Sequence, residues 1–222
     1  MFIKELHILT DNPEESSAFY ANGLGLPVLH ETDNNITLSL KHSTLTFHQS
    51  EVKNPKYHFA INIPCNKINE ALNWISHITH PVIIENGSAV ADCRNWHAEA
   101  FYFFDNNGNI LELIARRDLK NEADQPFGSD QLLSISEIGI VTKDVLSECN
   151  TLIEKYDIHY FDKQTPLKNF AALGDDNGLL IVVPEGRHWY PTNIPSSLHW
   201  LKAIVQTGNG VFSIEQRGMA RS

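Results

Sequence analysis

The segment Phe101–Arg116, FYFFDNNGNILELIAR, joins two apolar runs through a short polar turn. The turn residues, Asp105–Gly108, suit a sharp reversal because Asn and Gly tolerate the positive φ angles that tight hairpins need. The runs Phe101–Phe104 and Ile110–Ile114 are typical of buried strands. Glu112 lies inside the second run, and burying a carboxylate is costly unless a cation or hydrogen bonds satisfy it. The segment therefore predicts a β-hairpin whose carboxylate needs a partner.

The composition places limits on the class of protein. The chain has 222 residues, of which 42% are hydrophobic, and a formal net charge of -10. This length can bury one sizeable core or two smaller ones. The acidic charge, without a basic run, argues against nucleic acid or an anionic membrane as a partner. Three widely spaced cysteines, with no long apolar run and no signal-like start, indicate a cytoplasmic protein with free thiols.

Around the hairpin, one order of elements recurs three times. Each unit starts with a strand, continues with an amphipathic helix and ends with three further strands, a βαβββ order. The opening strands are Leu6–Thr10, Tyr57–Ile63 and Ile135–Val141, and the helices are Pro13–Leu24, Asn66–Thr79 and Val145–Tyr156. The hairpin at Phe101–Arg116 closes the second unit.

A single βαβββ unit cannot cover both faces of its own sheet, but two paired units can enclose a cleft. We therefore expect an α+β fold in which the first two units, residues 1–117, pair into a curved sheet that carries the cleft. Residues 118–130 are polar, contain Pro and Gly, and predict a linker. Residues 131–222 would hold the third unit and two C-terminal strands. Because this third unit has no partner in that plan, it would pair with the C-terminal strands or with another chain, and the second arrangement would give a homodimer.

Candidate metal ligands come from the repeat. His7 and His58 occupy the same place in the opening strands of the first two units. If these units pair about a pseudo-twofold axis, the two histidines face each other and Glu112 completes a set of three. Two imidazoles and one carboxylate are typical ligands of divalent first-row metals. In the third unit Glu137 takes the place of the histidines, so we expect no second metal site there, and His48 stays open as a fourth ligand.

The repeated unit, His7, His58 and the pattern D-x-x-G-N-x-x-E that ends at Glu112 resemble the vicinal oxygen chelate superfamily. This superfamily includes glyoxalase I, extradiol dioxygenases, fosfomycin-resistance enzymes and bleomycin-binding proteins. The resemblance covers residues 1–116 and, less closely, 131–185. It implies one divalent ion on His7, His58 and Glu112, with Fe(II) or Mn(II) favoured and Zn(II) or Ni(II) compatible. Such an ion polarises a substrate that binds through two adjacent oxygens.

The resemblance also implies a role for Tyr102. In the extradiol pattern, a hydrophobic–Tyr pair precedes the turn, and its Tyr donates a hydrogen bond to a reacting oxygen. A four-residue turn would set Phe101 opposite Glu112, whereas a five-residue loop sets Tyr102 there, and the resemblance implies the second arrangement. The acid–base His of the pattern has its nearest counterpart in His97, which lies closer to Tyr102 than the pattern requires.

Two functions follow from these observations. The first is a metal-dependent enzyme, a dioxygenase or a lyase or isomerase, that acts on a small molecule with vicinal oxygens. The alternative is a non-catalytic protein of the bleomycin-resistance type that binds a drug or metabolite. A polar-aromatic cluster, Arg187–Tyr190, follows the third unit and is compatible with a lid, an interface or packing.

Overall fold

A computed structural model of the chain describes residues 1–85 and 87–218, which form thirteen strands and three α-helices. The helices are α1 (Pro13–Ser17), α2 (Ile68–Ser76) and α3 (Val145–Tyr156). The strands are β1 (Phe2–Thr10), β2 (Val28–Thr32), β3 (Asn35–Ser39), β4 (Thr44–Gln49), β5 (His58–Ile63), β6 (Ala91–Cys93), β7 (Ala98–Phe104), β8 (Ile110–Arg116), β9 (Ser134–Thr142), β10 (Ala171–Asp175), β11 (Gly178–Pro184), β12 (Leu201–Thr207) and β13 (Gly210–Gln216).

Two helices begin at the predicted residue, α1 at Pro13 and α3 at Val145. The Asp144 side chain accepts a hydrogen bond from the Ser147 backbone and starts α3, which has the predicted bounds. The predicted cap Asn66 instead exchanges hydrogen bonds with Ala123, so α2 begins two residues later, at Ile68. None of the described helices is long and apolar enough to cross a membrane.

All strands belong to one curved, unclosed sheet, and this confirms the predicted α+β class of paired βαβββ units with a further unit and C-terminal strands. The pairing of the units differs from the expected plan. Strand β5 pairs with β8 on one side and antiparallel with β9 on the other, so the second and third units meet. Strand β1 pairs with β4 and with β12, so the first unit joins the C-terminal strands.

This arrangement corrects the domain plan in which residues 1–117 carry the cleft. The reason is physical: the opening strand of each unit leaves one edge unpaired, and an apolar strand must cover it. Strand β9 is buried along eight of its nine residues and covers the edge of β5. The cleft therefore lies between the second and third units.

The predicted linker, residues 118–130, runs along α2 and connects β8 to β9. Its Asn121 side chain accepts a hydrogen bond from the Cys65 backbone at 2.9 Å, and the Phe127 backbone donates one to Glu70 at 3.0 Å. The segment is thus anchored to the second unit at both of these points rather than separating two independent halves.

The core has two parts that lie on opposite faces of the sheet. In β7, Phe101 and Phe103 belong to the larger hydrophobic cluster, whereas Ala98, Ala100 and Tyr102 belong to the smaller one on the cleft side. This alternation follows from the two-residue period of a strand. The small side chains of β7 on the cleft side leave room above the sheet.

Candidate metal centre in the cleft

The loop of the hairpin is fixed by a buried carboxylate. Asp105 accepts hydrogen bonds from the Tyr20 hydroxyl at 2.7 Å and from the backbones of Asn107 and Asn109 at 2.9 and 2.8 Å. The Asn109 side chain donates a further bond at 2.7 Å, and Gly108 supplies a φ of +74°. The Asp, Gly and Asn of the sequence pattern therefore build the loop itself.

The loop sets the register of the hairpin. Phe104 pairs with Ile110, which leaves five residues between the strands, and Tyr102 lies directly opposite Glu112. This is the arrangement that the family resemblance implied, and it places the Tyr102 ring on the cleft side together with the carboxylate.

Three buried side chains from three strands converge at the floor of the cleft. Nε2 of His58 lies 3.6 Å from Oε2 of Glu112 and 4.0 Å from Oε2 of Glu137. All three donor atoms lie within 4.8 Å of one another, and within residues 1–85 and 87–218 this is the only such group of His, Cys, Asp or Glu. Ligands about 2.1 Å from one ion lie about 3–4 Å apart, so the spacing fits a metal.

Strand register explains why these three residues meet. Ala60, on the central strand β5, pairs with Glu112 on one side and with Glu137 on the other. His58 precedes Ala60 by two residues and therefore projects from the same face of the sheet. The backbone thus sets two carboxylates beside one imidazole before any ligand is present.

The imidazole is held in the form that binds metals. Nδ1 of His58 lies 3.2 Å from the Ile110 carbonyl oxygen and donates to it, which leaves the Nε2 lone pair facing the carboxylates. Burial lowers the pKa of His58 to about 4, and the positive charge of Arg187 contributes in the same direction. A neutral ring is the ligand form of histidine.

The surroundings of the two carboxylates supply too little positive charge to ionise both of them without cost. Burial, and then the charge of Glu137, hold the pKa of Glu112 well above its usual range, and Arg116 and a hydrogen bond from Tyr102 offset part of this rise. Burial also raises the pKa of Glu137, which Arg116 opposes. Two buried carboxylates face one buried guanidinium, and a divalent cation would supply the missing positive charge.

Arg116 is fully buried and positions Glu137. Its Nη2 binds Glu137, its Nε lies 3.2 Å from the Ser136 hydroxyl and its Nη1 lies 3.5 Å from Asp176. Its guanidinium carbon lies 5.5 Å from the centre of the Trp96 ring. From the sequence, Arg116 could either hold an anionic substrate or point into solvent, and its complete burial contradicts the second interpretation. Its position at the end of an apolar strand, four residues after Glu112, was a usable signal for burial on the same face.

The structure brings together two of the three ligands that the sequence predicted. His7 lies on β1, where its Nδ1 is 3.1 Å from Nε2 of His48 and its Nε2 is 3.1 Å from Glu5. Neither His7 nor His48 belongs to the group around His58. Glu137 occupies the place in the group where His7 was expected. In the third unit it has the position that the histidines have in the first two units, and this correspondence was the sequence signal for its role.

Above the three residues lies a cleft of about 650 Å³ with largely aromatic walls. Trp189 packs against the His58 ring at 5.2 Å between centroids, and Tyr190 meets Tyr102 edge-on at 5.5 Å. Arg187, Trp189 and Tyr190, from the cluster whose role the sequence left open, therefore form part of the cleft wall.

His97 does not line the cleft. Its side chain is 65% exposed, and its Nδ1 lies 3.2 Å from Asp118.

The chain matches no protein-family model, and a search of curated proteins finds no match. Among solved structures it resembles a protein described as a candidate dioxygenase from Bacillus subtilis subsp. subtilis str. 168, with a TM-score of 0.64 and 12% identity over 95% of this chain and 72% of that one. It also resembles glyoxalase I from Zea mays, with a TM-score of 0.53 and 17% identity over 88% and 70%. The chain therefore has the fold of these two structures, and this agrees with the fold that the sequence resemblance predicted.

Proposed function

We propose that this protein is a metal-dependent enzyme of the glyoxalase or extradiol dioxygenase type, acting on a small molecule with vicinal oxygens. The observation that carries the proposal is the group of His58, Glu112 and Glu137 at the floor of the cleft. The similarity to a glyoxalase and to a candidate dioxygenase, each over most of this chain, supports the same reaction class.

The ligand set would be one imidazole and two carboxylates, one histidine fewer than the sequence suggested. This set suits Fe(II) or Mn(II), and it is also compatible with Zn(II) or Ni(II). When bound there, a divalent ion would polarise the oxygens of the substrate as a Lewis acid. The protein contributes the shaped cavity and the orientation of each ligand, through Ile110 for His58 and through Arg116 for Glu137.

Tyr102 is proposed as the catalytic hydrogen-bond donor. Burial and the negative charge of Glu112 hold the pKa of the phenol well above its usual range, so the hydroxyl keeps its proton at neutral pH. A protonated phenol beside the carboxylate can donate to an oxygen of a bound molecule. Its position opposite Glu112 gives it access to the same space.

Nucleophilic thiol chemistry is a poorer match to the cleft. Cys93 is the cysteine among the lining residues, and burial with the charges of Glu112 and Glu137 raises its pKa to about 12. Since the thiolate is the nucleophile, this thiol is inert at neutral pH.

The three cysteines are all free, which agrees with the proposed cytoplasmic location. The homodimer stays a prediction, but β9 pairs with β5, so an unpaired third unit no longer argues for it.

Metal analysis of protein purified without chelators tests the proposal. We expect about one equivalent of a divalent metal per chain in the wild type and a loss of at least tenfold in His58→Ala and Glu112→Gln. The isosteric Glu112→Gln variant guards against a folding defect in His58→Ala. His7→Ala is the matched control and should keep its metal, because His7 lies with His48 and Glu5.

The outcomes separate the alternatives. Loss of metal in His7→Ala would restore the ligand set predicted from the sequence. A wild type that holds no metal, and binds aromatic ligands as well as His58→Ala does, would identify a binding protein of the bleomycin-resistance type. Circular dichroism on each variant establishes that the fold is retained.

A further inference from the structure

Three arginines lie in or beside the cleft, and only two of them have an acidic partner. Arg116 is paired with Glu137 and Asp176. Arg94 donates from Nε to Asp92 at 2.7 Å, and its side chain is 86% exposed. Arg187 has no carboxylate oxygen within 4.0 Å in the described part of the chain, although its side chain lines the cleft.

Arg187 is held in place and partly desolvated. Its backbone carbonyl accepts a hydrogen bond from Ser196 at 2.7 Å, its Nη1 donates to the His188 carbonyl at 3.3 Å, and its guanidinium carbon lies 5.0 Å from the centre of the Phe170 ring. Burial lowers the pKa of the guanidinium. A partly buried cation without a counter-ion is costly, and an anionic ligand would remove that cost.

The shape of the cleft restricts the anion. Trp96, Phe170, Trp189 and Tyr190 line it with flat rings, and such walls favour a planar ligand. A guanidinium presents a planar fork of donors that matches a carboxylate with two parallel hydrogen bonds. Among the described residues that line the cleft, Arg187 is the arginine without an acidic partner, so an anion would bind there.

We propose that Arg187 binds the carboxylate of an aromatic carboxylic acid, and that this contact sets the substrate class of the cleft. The choice of substrate rests on the proposed function, since the vicinal oxygens of such an acid would lie at the His58 group. The contact with Arg187 does not depend on a metal, because the guanidinium belongs to the wall and not to the ligand set. It can therefore be tested in metal-free protein.

The experiment titrates chelator-treated protein with benzoate and with its neutral isostere benzamide, using the fluorescence of the cleft tryptophans as the readout. We expect the wild type to bind benzoate about tenfold more tightly than benzamide. Arg187→Gln should remove this preference, and Arg187→Lys should keep part of it because it keeps the charge but not the fork. Arg94→Gln is the matched control and should bind both probes as the wild type does, since Arg94 is exposed and paired with Asp92.

Several outcomes would overturn this inference. These are equal affinity for the two probes in the wild type, an unchanged preference in Arg187→Gln, no saturable binding of either probe, or tenfold tighter binding of phenylphosphonate than of benzoate. The metal content of the same preparations, measured before the chelator treatment, separates this inference from the proposed function. A wild type purified without metal that keeps the benzoate preference contradicts only the enzyme proposal, whereas one purified with one equivalent of metal that lacks the preference contradicts only the role of Arg187.

Discussion

The two halves of the sheet use equivalent strand positions for different purposes. In the second unit, His58 is followed two residues later by Ala60, which pairs with Glu112 across to the closing strand. In the first unit, His7 is followed two residues later by Leu9, whose partner in the closing strand is His48. The backbone frame is the same in both, and the carboxylate of one unit is an imidazole in the other.

The antiparallel partner strand also differs between the halves. Strand β9 brings Glu137 to the group around His58, whereas the chain entering β12 brings Trp200, whose ring meets His48 edge-on at 5.6 Å. His7 and His48 stack at 5.3 Å between centroids. His7 holds the same place in the repeat as His58 but lies outside the group with Glu112 and Glu137. We propose that the pair of carboxylates beside His58 decides which half can hold a metal.

The largest expected effect is the loss of Arg116, the buried cation that pairs with Glu137 beside His58. Arg116→Met should lower the free energy of unfolding by about 3–5 kcal/mol, because it leaves Glu137 buried without its partner. Urea unfolding of metal-free protein measures this. Arg117→Met is the control: that side chain is 59% exposed, its pair with Glu99 is at the surface, and we expect less than about 1 kcal/mol.

A second substitution separates charge from packing in this prediction. Adding Glu137→Gln to Arg116→Met removes the buried charge that the first substitution leaves unpaired. The double variant should recover more than half of the lost free energy of unfolding. If the double variant is no more stable than Arg116→Met, the cost comes from lost packing against Trp96 and not from the charge of Glu137.

The next effect is a pH dependence that His58 imposes on the metal-free protein. The pKa of His58 is about 4 in the folded state and 6.5 when unperturbed. As the pH falls from 6.5 towards 4, the unfolded chain binds a proton that the folded chain does not. Stability is therefore lost on acidification, by roughly 3 kcal/mol in total. Relative to His58→Asn, the wild type should become less stable over this range, as followed by urea unfolding.

Glu112 should show the opposite sign. Its pKa is raised in the folded state, so the folded chain keeps a proton that the unfolded chain releases as the pH rises above 4.5. Relative to Glu112→Gln, the metal-free wild type should thus lose stability as the pH rises. If the free energy of unfolding changed with pH in the same direction in both comparisons, this would contradict a lowered pKa for His58 together with a raised pKa for Glu112.

A smaller effect is expected at Gly139, where the Trp189 ring packs closely against β9. A Cβ atom on Gly139 would lie 2.5 Å from the Trp189 ring, so Gly139→Ala should displace that ring from His58 and cost about 1–3 kcal/mol. The tryptophan fluorescence of the cleft should shift as well. Gly208→Ala, where a Cβ would have no neighbour within 4 Å, should change neither measurement.

The features that could be predicted from the sequence are those that depend on residues close together in the chain. The period of its apolar residues placed α3 at its observed bounds, and the turn chemistry of Asp105 and Gly108 predicted the hairpin. The family pattern then chose the five-residue loop that sets Tyr102 opposite Glu112. These features depend on neighbouring residues and on the period of a strand, which are visible in a single chain.

The third member of the metal group could not be placed in this way. Whether His58 faces His7 or Glu137 depends on which free strand edge pairs with which, a contact between residues far apart in the chain. Both β1 and β9 are apolar strands that could cover the edge of β5. The same long-range pairing brings Arg187 and Trp189 over the cleft, and no local pattern distinguished them from ordinary packing.

The smallest effect is expected at the position in the first unit that corresponds to Glu112. His48→Phe keeps a ring against Trp200 but removes the hydrogen bond with His7, so we expect a loss of about 1 kcal/mol in the free energy of unfolding. Metal content should equal that of the wild type, whereas Glu112→Gln at the equivalent position should lose its metal. Metal analysis and urea unfolding of the two variants side by side measure this contrast. A loss of metal in His48→Phe would mean that the first unit takes part in metal binding. The site would then not be confined to the half of the sheet that holds Glu112 and Glu137.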